Sequence, residues 1–117
     1  MNSKLLTVLL VLGLSACYSI PDLEGFDRDS WNENACDKPR SAQQDLIIMQ
    51  KEKLYKEGQA EIKTLFGQPD EHELYNRNQK FFYYNLSSPE CNQEGKKLRL
   101  SIKFDALDRV KEVLIIE

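Results

Sequence analysis

The chain lacks an apolar run long enough to cross a bilayer. Its longest, residues 5–14, falls well short of the about 20 residues a membrane-spanning helix needs. It also lacks an excess of positive charge. Lys and Arg number 16 against 19 Asp and Glu, a formal charge of −3, which leaves no electrostatic footprint for nucleic acid. Beyond a cysteine at the end of that apolar run, only Cys36, Cys91 and the single histidine His72 remain, and their spacing fits no zinc ligand set, so no metal is expected. There is no GxGxxG or Walker-type loop to cradle phosphates, and no cofactor or small-molecule substrate is implied. Five Gly, four Pro and no internal repeat exclude low-complexity and solenoid chains. No nucleophile stands beside a base. His72, between Glu71 and Glu73, reads as an exposed strand residue, and Asp105 and Asp108 flank a turn that explains them, so an enzyme is not expected. What is left, 117 residues at 41% hydrophobic and 30% charged, suits one small globular domain.

The N-terminal segment has a different character. Lys4 gives a positive start, and residues 5–14 have the length of a secretory signal core. Leu14-Ser15-Ala16-Cys17 then resembles the lipobox of bacterial lipoprotein precursors. That resemblance implies that the Cys17 thiolate takes a diacylglyceryl group and that cleavage removes residues 1–16, leaving Cys17 as the new N-terminus. Two or more acyl chains hold a protein firmly to a membrane, where one holds it only marginally. The next residue is Tyr18 rather than the Asp that retains such lipoproteins at the inner membrane, so the expected place is the outer membrane, facing the periplasm. The other reading of these residues is a plain cleaved signal ending in a small-x-small site at Ser15 to Cys17.

Lipidation leaves Cys36 and Cys91. In an oxidising compartment two cysteines allow one pairing, so a Cys36–Cys91 disulfide is expected, with two free thiols as the alternative. Closing a loop of about 55 residues is worth at most about 4 kcal/mol by chain entropy.

Residues 17–40 show no helical or strand period and read as a tether, partly ordered around Trp31 and Cys36. A helix is expected over 41–55, opened by a Ser41–Gln44 capping box and carrying Leu46, Ile47, Ile48 and Met49. A second helix follows Gly58, with Ile62, Leu65 and Phe66 on one face and a stop at Gly67 and Pro69. From Glu71 the period becomes two. Strands are expected at Leu74-Tyr75, at residues 80–86, at residues 98–104 where Leu98, Leu100, Ile102 and Phe104 alternate with polar residues, and at residues 109–116 with a bulge near Lys111-Glu112. The fold class is therefore α+β: two N-terminal helices on one face of a three- to four-stranded antiparallel sheet, in a domain spanning 41–117.

The pattern Ile62-x-x-Leu65-Phe66-Gly67-x-Pro69-Asp70, then an aromatic strand, then "LSIKFDALDRVKEV", resembles the SmpA/OmlA (BamE-like) family of envelope lipoproteins over residues 41–117. The resemblance implies helices followed by a three-stranded antiparallel sheet. It also implies a non-enzymatic interaction or scaffold role in the bacterial envelope, as an accessory of outer-membrane protein assembly. Arg99 and Lys103, with Lys97 beyond, form a basic stripe on the polar side of the third strand, and Tyr83 and Phe81 share that side in one register. A mixed aromatic and basic patch suits a protein partner or lipid headgroups, whereas an ordinary solvated sheet face is the plainer reading. The second functional expectation is a periplasmic binding or enzyme-inhibitor protein acting through the loop at 87–96.

Overall fold

A computed structural model describes residues 20–75, 79–88, 90–91 and 97–117. Helix α1 spans Arg28–Glu33. A 3-10 turn at Arg40–Gln43 leads into α2, Gln44–Met49, and a second at Lys51–Lys53 follows it; α3 spans Gln59–Phe66. Four strands complete the chain: β1 Glu71–Tyr75, β2 Gln79–Asn85, β3 Arg99–Phe104 and β4 Val110–Ile116. They form one antiparallel sheet in the order β1-β2-β3-β4, so the architecture is α+β with a four-stranded meander.

Alternation in β3 sets the two faces of the sheet. Leu100, Ile102 and Phe104 are fully buried, and the register sets Tyr84 against Leu100, then Phe82, Ile102 and Val113 in one row. Residues on the other parity, Arg99, Ser101 and Lys103, must then point away from this core. The expected bulge is present: Lys103 pairs with Glu112 and Phe104 with Val110, leaving Lys111 as the extra residue. The β3–β4 turn is held by Asp105, whose Oδ1 accepts from the N–H groups of Leu107 and Arg109 at 2.9 and 3.1 Å.

The helix layer differs from the sequence expectation in one respect. The helix over 41–55 is broken into a 3-10 turn, α2 and a second 3-10 turn. No side-chain cap forms at the start, and the Ser41 N–H donates instead to the Leu86 carbonyl at 2.8 Å, which ties this end to the sheet. Tertiary demand has overridden a local capping signal. α3 matches its expectation, burying Ile62, Leu65 and Phe66 and ending at Gly67, whose φ of +83° suits glycine far better than any L side chain.

The described part of the segment read as a tether is built into the domain. Leu23 and Trp31 belong to the core cluster, and Phe26 packs against it. Trp31 has no exposed surface; its ring lies 5.1 Å from Phe66 and 6.1 Å from Tyr84, and its Nε1–H donates to the Phe66 carbonyl at 2.8 Å. Two glutamine side chains hold the backbone ahead of α1. Gln43 accepts from the Asp27 N–H and donates to the Asp27 carbonyl, at 2.8 and 3.0 Å. Gln50 does the same for Glu24, at 2.7 and 2.8 Å. A primary amide carries one acceptor and a donor side by side, so each glutamine pairs with a peptide residue as a neighbouring strand would.

α1 is capped by Asp27, whose carboxylate accepts from the backbone N–H of Asp29 and of Ser30 and from the Ser30 hydroxyl. The Ser30 backbone bond is the first cause holding the Asp27 carboxyl below its ordinary value of 3.8, with the Ser30 hydroxyl next. The cap is therefore complete above the unfolded-state pKa and is lost as pH falls through the lower folded one. Acid titration is expected to loosen α1 in that window, seen as a change in Trp31 fluorescence. Asp27→Asn should keep the cap and flatten that part of the titration.

Arg40 joins three parts of the fold. Its Nε donates to the Trp31 carbonyl at 2.8 Å, and its Nη1 reaches Asp70 Oδ2 at 2.9 Å and the Asn85 carbonyl at 3.2 Å. Its guanidinium also sits over the Trp31 ring at 4.9 Å, and its side chain is only 12% exposed. Arg40→Ala is expected to cost about 2 kcal/mol in urea unfolding, the scale of a lost charged hydrogen-bond set. Arg40→Lys should recover little, because a point charge cannot span the same acceptors.

Candidate functional site

Parity places a second set of side chains on the sheet face opposite the core. Three rows cross it: Glu71, Tyr83, Ser101 and Leu114; Glu73, Phe81, Lys103 and Glu112; and Asn85, Arg99 and Ile116. The core cluster takes Phe82 and Tyr84 from β2 and leaves Tyr83 out. Phe81 and Tyr83 stack nearly parallel, with centroids 6.0 Å apart and planes inclined by 9°. The Arg99 guanidinium covers the Tyr83 ring at 4.4 Å, and Lys103 Nζ lies 5.6 Å from the Phe81 centroid. Cations over aromatic faces hold both groups in place and still present an amphipathic surface.

The structure thus brings Tyr83, Arg99 and Lys103 together with Phe81. Lys97 is exposed and lies ahead of β3, outside the ladder. The stripe is also less basic than its residues alone imply. Arg99 Nη1 is 3.1 Å from Glu71 Oε2, the Tyr83 hydroxyl donates to Glu73 Oε2 at 3.3 Å, and Glu112 stands opposite Lys103. A face that carries carboxylates beside its cations is suited to a protein surface with mixed charge rather than to a polyanion. Leu114, 42% exposed, and the half-buried Ile116 add aliphatic area at the β4 side. Sequence reading missed both, because residues 113–116 are apolar throughout and no alternation marks which of them leave the core.

Elsewhere the polar groups serve the fold. Asp105 is occupied by its turn, and Asp108 Oδ1 accepts from Gln59 Nε2 at 3.0 Å and pairs with Lys80 at 3.2 Å, so both carboxylates are engaged within the fold. His72 is exposed on β1. Among the described residues no group of three His, Cys, Asp or Glu side chains converges as a metal ion requires, and no helix is long and apolar enough to cross a membrane. Burial raises the Tyr84 phenol far above its ordinary value, and its hydroxyl donates to the Gly67 carbonyl at 2.9 Å, so it is a structural group.

Cys36 and Cys91 are joined by a disulfide with Cα atoms 5.3 Å apart, within the usual range for such links. It ties the turn after α1 to the segment after β2. The leader, Cys17 and Tyr18 lie outside the described residues, as do Pro89 and residues 92–96 of the loop considered for an inhibitory role. No family model, no curated protein and no solved structure matches this chain.

Proposed function

We propose that this protein is a lipid-anchored, periplasm-facing interaction protein of the bacterial envelope, without enzymatic activity, and that its domain is of the SmpA/OmlA (BamE-like) type with α1 added ahead of it. In this reading residues 1–16 are a cleaved signal, Cys17 carries the acyl chains in the outer membrane, and the domain serves as an accessory in outer-membrane protein assembly. The observation that carries the interaction role is the sheet face where Arg99 and Lys103 lie over the buried Tyr83 and half-buried Phe81 beside the exposed Leu114, because arginine and apolar side chains held rigidly on a sheet are suited to anchor a protein interface. The lipobox-like Leu14-Ser15-Ala16-Cys17 and the Cys36–Cys91 link support an exported, oxidising setting.

The test is affinity purification of the acylated full chain from solubilised envelope, beside a Lys103→Glu, Leu114→Asp variant. Both positions are accessible enough for the variant to fold. Wild type is expected to retain a defined envelope protein that the variant loses by about 30-fold, the scale of one interface hot spot. Equal recovery by both, or recovery of no envelope protein, contradicts the proposal.

A further inference from the structure

We infer that the face formed by Ile20, Pro21, Phe26 and the neighbouring groove rests on the zwitterionic lipid surface of the membrane that holds the anchor, so that the outer sheet face is directed away from the bilayer. The inference rests on the lipid anchor at Cys17 proposed above and adds an orientation to it.

Chain length is the main constraint. Leu23 is 4% exposed and belongs to the core, and Gln50 grips the backbone of Glu24, so the fold begins within a few residues of Cys17. Three residues span at most about 10 Å when fully extended, and six at most about 20 Å. The headgroup layer on each side of a bilayer is itself about 5–8 Å deep. Ile20 therefore cannot stand more than a few ångströms clear of the lipid, whatever path the intervening residues take. A long flexible tether would leave the domain free to tumble; a link this short does not.

The surface at that point suits the contact. Ile20 is 46% exposed. With Pro21, Leu23, Phe26 and Leu65 it lines a groove of about 250 Å³ whose charged members are Asp22 and Arg28. Met49, 85% exposed, directly precedes Gln50 and so lies near the same segment. The segment carries Asp22, Glu24, Asp27 and Asp29 against Arg28, with Lys53 Nζ on the Asp22 carbonyl. An acidic excess beside an anionic surface is repelled, whereas a net-neutral phosphatidylethanolamine surface imposes no such repulsion on the apolar contact. Phe26 touches Phe66, and Phe66 touches Tyr84 of β2, so this segment is on the helix side of the sheet. Arg99, Lys103 and the exposed Leu114 then lie on the opposite side of the sheet, with Tyr83 buried beneath Arg99.

The experiment reads depth. Full-length acylated protein carrying Ile20→Trp, or Leu114→Trp as the outward control, is reconstituted into phosphatidylethanolamine vesicles. These contain phosphatidylcholine brominated near the headgroup end of its acyl chains. Wild-type Trp31, fully buried, supplies the baseline. Quenching of Ile20→Trp is expected to exceed that of Leu114→Trp at least about twofold, since a side chain at the acyl boundary lies about 5–10 Å deep, within reach of bromine. Protein that floats with the vesicles but shows equal quenching at both positions overturns the orientation and leaves the anchor standing. Protein that carries no acyl group and does not float removes the anchor, and the orientation with it.

Discussion

Trp31→Ala is expected to destabilise the domain by about 4 kcal/mol, measured as a shift of the urea unfolding midpoint with an unchanged slope. The residue has no exposed surface and stands among Phe26, Phe66, Tyr84 and Arg40. Truncation would empty the middle of the aromatic cluster that joins α1 to α3 and the sheet. It would also leave the Phe66 carbonyl without its 2.8 Å donor. Trp31→Phe separates the two effects. It keeps most of the ring volume and removes the N–H, so about 1–2 kcal/mol is expected, the scale of one buried hydrogen bond left unmade. A residue on a solvated tether would cost nothing in either variant. Since small domains are stable by only about 5–15 kcal/mol, the alanine variant should lose between about a quarter and four-fifths of its stability.

Removing the disulfide is expected to have the next largest effect. Replacing Cys36 and Cys91 together by serine should cost about 3 kcal/mol, below the chain-entropy ceiling of about 4 kcal/mol for this loop, because the denatured chain retains some structure. The measurement is urea unfolding of the soluble domain with and without reductant, in wild type and in the double serine variant. Reductant should shift wild type to the midpoint of the variant and leave the variant unmoved. Cys36 stands two residues beyond Asn34, the left-handed residue that ends α1, so the link holds the same segment that Trp31 anchors from within. Losses at the two places are therefore coupled. The combined variant should lose less than the sum of its parts, because a detached α1 has nothing further to lose.

The sheet and α3 were legible in the sequence because one local signal sufficed for each. Leu100, Ile102 and Phe104 alternate in the sequence with Arg99, Ser101 and Lys103, and Gly67 with Pro69 permits no continuation of the helix. The bulge at Lys111 was legible from the three-residue spacing of Val110 and Val113. α1 was not, since six residues with a single buried side chain have no period to detect. Its one signal was Asp27 placed to cap the turn over Asp29 and Ser30. Nor was the break after Met49 legible: Gln50 turns its amide to Glu24, a contact 26 residues away in sequence. The candidate face shows the same division. Strand parity put Arg99 and Lys103 on one side, but the pairing of Arg99 with Glu71 and the placement of Arg99 over Tyr83 and of Lys103 over Phe81 needed the register of β1 and β2.

Intact-mass spectrometry of the full chain, expressed in a bacterium and extracted from its membranes, tests the central claim most directly. The account predicts a species that begins at Cys17, carries diacylglyceryl mass on that residue, and gains a pair of hydrogens when the Cys36–Cys91 bond is reduced. A species that retains Met1, bears no acyl mass and is unaffected by reductant would contradict it.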